Sequence, residues 1–175
     1  MCLQGVLSAM KERLKRNRIL YVKAVMMGLL PLLCCAVTCA LYGYQISDIY
    51  LPASDWNDEL FYYKQVESML QYGYPQGYFG FNESHALILS FAAWSPVLLL
   101  PWVIWGFIFG WNFMSPILCN MVMMAVAVFL FTYLAKPKKW QLLAMAVMLG
   151  MFTPMVRYSF ACMPEITCFF LIIVF

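Results

Sequence analysis

Long apolar runs alternate with short polar stretches along the chain. Residues 19–44 are apolar apart from Lys23, and residues 115–135 form a second uninterrupted run. Each is long enough to cross a hydrocarbon layer of roughly 30 Å as one helix. Residues 141–156 predict a third span. Residues 166–175 begin a fourth but supply only about half of what crossing needs, so the chain reads as a fragment of a longer protein or a truncated gene. Pro31 should kink the first span, and Tyr42 and Tyr44 suit its far interface. That run lacks a small-residue cleavage site and reads as a retained anchor. Ahead of it, residues 1–18 are basic and weakly amphipathic, a segment suited to anionic headgroups.

Between the first two clear spans the pattern changes. Residues 45–85 are too polar to cross. Within them, residues 56–71 predict an amphipathic helix with Asp55 as N-cap and Trp56, Leu60, Tyr63, Met69 and Leu70 on its apolar side. Gly73, Pro75, Gly77 and Gly80, interleaved with Tyr72, Tyr74, Tyr78, Phe79 and Phe81, predict an irregular aromatic loop at the interface. Residues 86–110 are apolar enough to cross, yet they carry Pro96, Pro101, Trp94, Trp102 and Trp105.

Charge placement bears on that segment. Of eleven basic residues, Lys11, Arg13, Lys15, Arg16, Arg18 and Lys23 precede or open the first span, and Lys136, Lys138 and Lys139 follow the second. Six of the eight acids lie between Asp48 and Glu83. Short basic segments beside spans stay cytoplasmic. This places the N-terminus and the 136–140 loop inside, and residues 45–114 and 157–165 outside. If residues 86–110 crossed, Lys136, Lys138 and Lys139 would face outward. The segment is therefore expected to be re-entrant or juxtamembrane, its backbone covered by protein. An ordinary span that violates the charge rule is the competing reading.

Composition agrees with a membrane solvent. Of 175 residues, 65% are hydrophobic and 11% charged, against roughly 45–50% and about 25% in soluble domains. Such a chain cannot hide its apolar surface in water, and disorder requires the opposite balance. The fold class expected is an all-α polytopic membrane protein. The basic clusters lie beside spans, so lipid rather than nucleic acid is the expected partner. The seven cysteines form no C-x-x-C pair and mostly sit in apolar runs as small packing groups.

No phosphate-binding glycine loop, G-x-S-x-G or H-E-x-x-H occurs. The candidate chemistry lies in three groups on the expected outer side. Asp58-Glu59 can simply favour a helix N-terminus, or can present a partly desolvated carboxylate as a proton acceptor. Glu83-Ser84-His85 precedes the broken apolar segment; His85 can be an interfacial ring with a polar tip, or a proton-handling or phosphate-binding group held by Glu83. Met163-Pro164-Glu165 opens the last apolar run, with an acid at the membrane boundary.

In this order and topology the motifs resemble those of the GT-C superfamily of membrane glycosyltransferases, specifically the family 39-like protein O-mannosyltransferases and aminoarabinose transferases. Asp58-Glu59 is similar to the Asp-Glu pair of their first outer loop. Residues 159–165, Ser-Phe-Ala-Cys-Met-Pro-Glu, resemble their Ser-Arg-x-x-(Leu/Met)-Pro-Asp segment, with Phe160 at the Arg position and Arg157 nearby. Glu83-Ser84-His85 occupies the place of their acid-Lys-Pro segment without the Lys and Pro. The resemblance implies a GT-C-like arrangement of helices and sugar transfer from a polyprenyl-phosphate donor to an acceptor on the outer face, in a bacterial cytoplasmic membrane. It casts Asp58 as base and Glu59 as the group that positions the nucleophile. Arg157 and His85 stabilise the departing phosphate, and Glu165 shapes the acceptor site or helps hold a cation. Some such enzymes bind a divalent metal, but the acids and single His here define no ligand set, so the cofactor is left open. The alternatives are a transporter or channel fragment, or a non-catalytic membrane scaffold.

Overall fold

The computed structural model describes residues 2–45, 58–77, 87–88 and 96–174. Asp55, Trp56, Glu83, His85 and Trp94 lie outside the described residues, as do Tyr78, Phe79, Gly80 and Phe81 of the expected aromatic loop. The rest is almost wholly helical. Two helices are long and apolar enough to cross a membrane, and a bent helix pair makes a third candidate.

The first helix, α1 (Cys2–Tyr42), is longer than the sequence pattern predicts. The basic lead and the first span are one continuous helix, whose apolar part covers Asn17–Tyr42. No proline interrupts the first thirty residues, so nothing local separates the two parts. Pro31 lies inside the helix and is buried.

The second long helix, α4 (Ser115–Ala135), is the centre of the molecule. It runs antiparallel to α1. Tyr21 meets Phe129 edge to face at 5.8 Å, Gly28 faces Ala125, and Cys35 packs with Ile117 and Met121. A Cβ on Gly28 would lie 2.9 Å from the Ala125 carbonyl oxygen and 3.0 Å from Phe129 Cβ. Helices associate in lipid through close backbone approach, and glycine permits it here. The α4 C-terminus closes at Lys136, whose backbone N–H donates to Thr132 O from a left-handed conformation (φ 50°).

Beyond Lys136 come α5 (Lys139–Met151) and α6 (Thr153–Ser159). The pattern predicts one unbroken span over 141–156; instead the two helices meet at 64°. Phe152 between them leaves helical geometry (φ −86°, ψ 78°), and Pro154 sits in the first turn of α6. Proline is tolerated there because its missing N–H has no intrahelical partner, whereas inside a span it would break one. Residues 157–159 accordingly belong to α6, and the following loop is 160–164. The chain then enters α7 (Glu165–Val174), which packs on α4.

Between α1 and α4 lie α2 (Asp58–Tyr72) and α3 (Leu100–Phe109), the latter preceded by a 3-10 turn at Pro96–Leu99. Two short strands, β1 (Gln76–Gly77) and β2 (Leu87–Ile88), pair antiparallel, with Gln76 opposite Ile88. Ser68 of α2 accepts the Gln76 N–H at 3.0 Å, fixing this ribbon beside α2. The end of the apolar segment returns to the same helix. Gly106 packs on Leu70, the Trp111 indole donates to Tyr63 O at 3.3 Å, and the Tyr63 ring stacks on Trp111 and Phe113. Residue 88 thus pairs with the strand that is tied to α2, and residue 111 sits against α2 itself, with a short helix of 96–109 between them.

Candidate functional site

The amphipathic helix α2 buries Tyr63 and packs Met69 and Leu70 on the core, as its apolar residues predict, but its inward face is also polar. Leu60 is exposed, while Glu59, Tyr62, Tyr63, Gln65, Val66 and Ser68 are buried. The inward face includes a carboxyl, and a carboxyl withdrawn from water needs hydrogen bonds. Glu59 Oε2 accepts one from the backbone N–H of Cys162 at 3.0 Å, across 103 residues of sequence. The Asp58-Glu59 pair is thereby tied to the loop that carries Met163-Pro164-Glu165.

A second clamp holds the same loop from α4. Asn120 is fully buried in an otherwise apolar stretch. Its Oδ1 accepts from the Trp102 indole at 2.8 Å, and its Nδ2 donates to Ala161 O at 2.8 Å and Tyr158 O at 3.3 Å. One side chain therefore joins α3, α4 and the end of α6. Sequence reasoning missed Asn120 and Cys162 and gave Trp102 no bonding role. The available signal was a lone amide within a span, where polar side chains bond across helices.

The two remaining carboxyls stand at helix starts on this clamped frame. Asp58 opens α2 and is half-buried; Glu165 opens α7 and is half-buried. Glu165 Oε2 is withdrawn from solvent without a hydrogen-bond partner among the described residues. Burial pushes its pKa above the usual carboxylate range, and the charge of Asp58 adds to that push. Burial also raises the Cys162 thiol well above its ordinary value, helped by Glu59, so Cys162 is no ready nucleophile. Arg157 is exposed in the last turn of α6. The structure brings Asp58, Glu59 and Glu165 together; Glu83 and His85 fall outside the described residues.

Glu165 borders an apolar cavity of about 330 Å³ between α4, α5, α6 and α7, whose walls include Met124, Leu149, Phe152 and Phe169. Leu149, Phe152 and Phe169 also line a larger cleft of about 890 Å³ that continues along α5 to Trp140 and Pro137. Together they form an apolar trough from the carboxyl end towards the opposite end of the helices. Among the described residues no group of three His, Cys, Asp or Glu side chains is placed to hold a metal ion.

Charge is sorted along the molecular axis. Lys15, Lys23 and Lys136 share one cleft where the apolar part of α1 begins and α4 ends. Asn120, which holds the carboxyl-bearing loop, lies about 24 Å up α4 from Lys136 at 1.5 Å per residue. Comparison with protein-family models, curated proteins and solved structures found no match to this chain.

Proposed function

We propose that this chain belongs to a GT-C-like, family 39-like membrane glycosyltransferase that moves a sugar from a polyprenyl-phosphate donor to an acceptor at the outer membrane face. The observation that carries the reading is the meeting of Asp58-Glu59 with the Pro164-Glu165 segment, through the Glu59–Cys162 hydrogen bond. Two acid motifs that the resemblance pairs by order alone are joined by contact. The charge sorting supports an N-terminus on the inner side, with the carboxyl end outside, and the reading places the chain in a bacterial cytoplasmic membrane. The pairing of residue 88 with the strand beside α2 and the bond of Trp111 to Tyr63 of α2 support a juxtamembrane segment rather than a crossing.

In this reading the side chains divide the work. Glu59 is a positioning residue: buried and bonded to Cys162, it fixes where the 160–165 loop stands. Asp58, beside it and partly open to solvent, takes the proton from the acceptor hydroxyl or amine as that group attacks the anomeric carbon. The bond from sugar to phosphate breaks, and the polyprenyl phosphate leaves with its charge balanced by Arg157. Glu165 shapes the acceptor side. The apolar trough beside Glu165 gives the isoprenoid tail of the donor a surface within the bilayer.

The test is transfer by membranes containing the chain in its natural gene context, using labelled polyprenyl-phosphate hexoses and pentoses as donors. Asp58→Asn should lower transfer by about 100-fold or more, the scale of a lost general base, while expression and insertion stay unchanged. Full turnover in that variant removes Asp58 as base. Absence of transfer by the unmodified protein from every donor counts against the reaction class.

A further inference from the structure

The opposite end of the molecule carries a second candidate site, which the carboxyl chemistry does not use. Lys15 and Lys23, two turns apart on α1, and Lys136, at the end of α4, line one cleft of about 890 Å³. Tyr133 lies in its wall, and Leu20 and Leu134 give it an apolar side. That volume falls within the roughly 300–1,000 Å³ of ligand clefts. No Asp or Glu is among its described lining residues, so no described acid in the cleft neutralises the three lysines. An uncompensated cluster of three cations calls for an anion.

The backbone at Lys136 is an independent observation. Its φ of 50° lies in the left-handed region, where glycine or asparagine is the low-energy choice for ending a helix. A lysine held there gives up stability that glycine would supply, while placing its amine in the cleft. The mixed lining selects between anions. A free phosphate ion would use the amines and gain nothing from Leu20, Leu134 and Ile19, whereas a lipid headgroup brings a phosphodiester and the beginnings of its acyl chains.

We infer that the cleft between the start of the apolar part of α1 and the end of α4 binds the headgroup of an anionic phospholipid. Lys15, Lys23 and Lys136 hold the phosphodiester, and the apolar wall receives the glycerol and upper acyl carbons. Basic pockets between membrane helices recognise phospholipid headgroups in this way. The assignment holds whichever reaction the carboxyl end performs.

The test is native mass spectrometry of the purified full chain in detergent, titrated with dioleoyl phosphatidylglycerol, dioleoyl phosphatidylcholine or inorganic phosphate. The unmodified protein should retain phosphatidylglycerol in preference to phosphatidylcholine. Lys23→Gln and Lys136→Gln should each weaken that retention about fivefold, whereas Lys139→Gln, outside the cleft, should leave it unchanged. Lys136→Gly should weaken binding to the same degree while raising the thermal midpoint, because it relieves the left-handed backbone. Equal loss in Lys139→Gln means diffuse surface charge and overturns the site. Displacement of the lipid by inorganic phosphate at equal concentration makes it a free-phosphate site and overturns the lipid assignment. Undiminished binding in Lys136→Gly does the same for the role of Lys136.

Discussion

Glu59 and Glu165 are both acids in the first turn of a helix, yet their surroundings differ. Glu59 is fully buried and bonded to a backbone N–H, whereas Glu165 keeps one oxygen out of water with no such bond among the described residues. For Glu165 the fold favours the protonated form. Its folded pKa lies above its ordinary 4.5, so the folded state holds its proton over a pH range in which the unfolded chain has released it. This contribution to stability is complete below the ordinary value and is lost as pH rises through the raised one. Glu165→Gln should therefore remove a downward slope in thermal midpoint that the unmodified protein shows above pH 4.5. Thermal denaturation in detergent across that range checks it, and parallel curves for the two proteins would show that the fold does not favour protonated Glu165. The acid motifs were legible as residues because Asp58-Glu59 and Pro164-Glu165 stand out in an apolar chain. Their partners were not: Cys162 contributes a backbone N–H, which no side-chain pattern reports.

At the level of elements, hydropathy located both long spans but misjudged three details. The helix lead and α1 merge because no local breaker divides them. Residues 141–156 break at Phe152, where Pro154 was the available warning. The inward face of α2 holds Tyr63, Met69 and Leu70 as expected but also Glu59 and Gln65, while Leu60 faces out, so apolar periodicity located the face but not its polar members. Periodicity assumes that buried means apolar, and a helix that buries a hydrogen-bonded carboxyl violates the assumption. The α1–α4 contact carries its own prediction. At Gly28 an added side chain meets the Ala125 carbonyl oxygen and Phe129, both close to backbone and neither free to swing away. Gly28→Leu should destabilise the pair by about 1–3 kcal/mol, the range for overpacking a tight contact. The midpoint of denaturant unfolding measures it; an unchanged midpoint would mean that α1 and α4 do not approach as closely as described.

For the whole molecule, the organising feature is the separation of charge along the helix bundle. Lys15, Lys23 and Lys136 gather at one end, while Asp58, Glu59 and Glu165 gather towards the other. The sequence carried this separation in its spacing of charges, since each long span leads from one sign towards the other. It did not carry the buried ties that turn separate motifs into a site, because the lone amide of Asn120 does not name its partners and Trp102 looks like an ordinary member of an apolar segment. The proposed sugar transfer needs the carboxyl end and α2 together on the outer face, and it needs residues 86–110 to return to the side they left. Single cysteines at Tyr72, Asn112 and Lys139, treated on intact cells with a membrane-impermeant maleimide, test this directly. The account predicts labelling at 72 and 112 from outside and at 139 only after the cells are opened; labelling of 112 together with 139 and apart from 72 would contradict it.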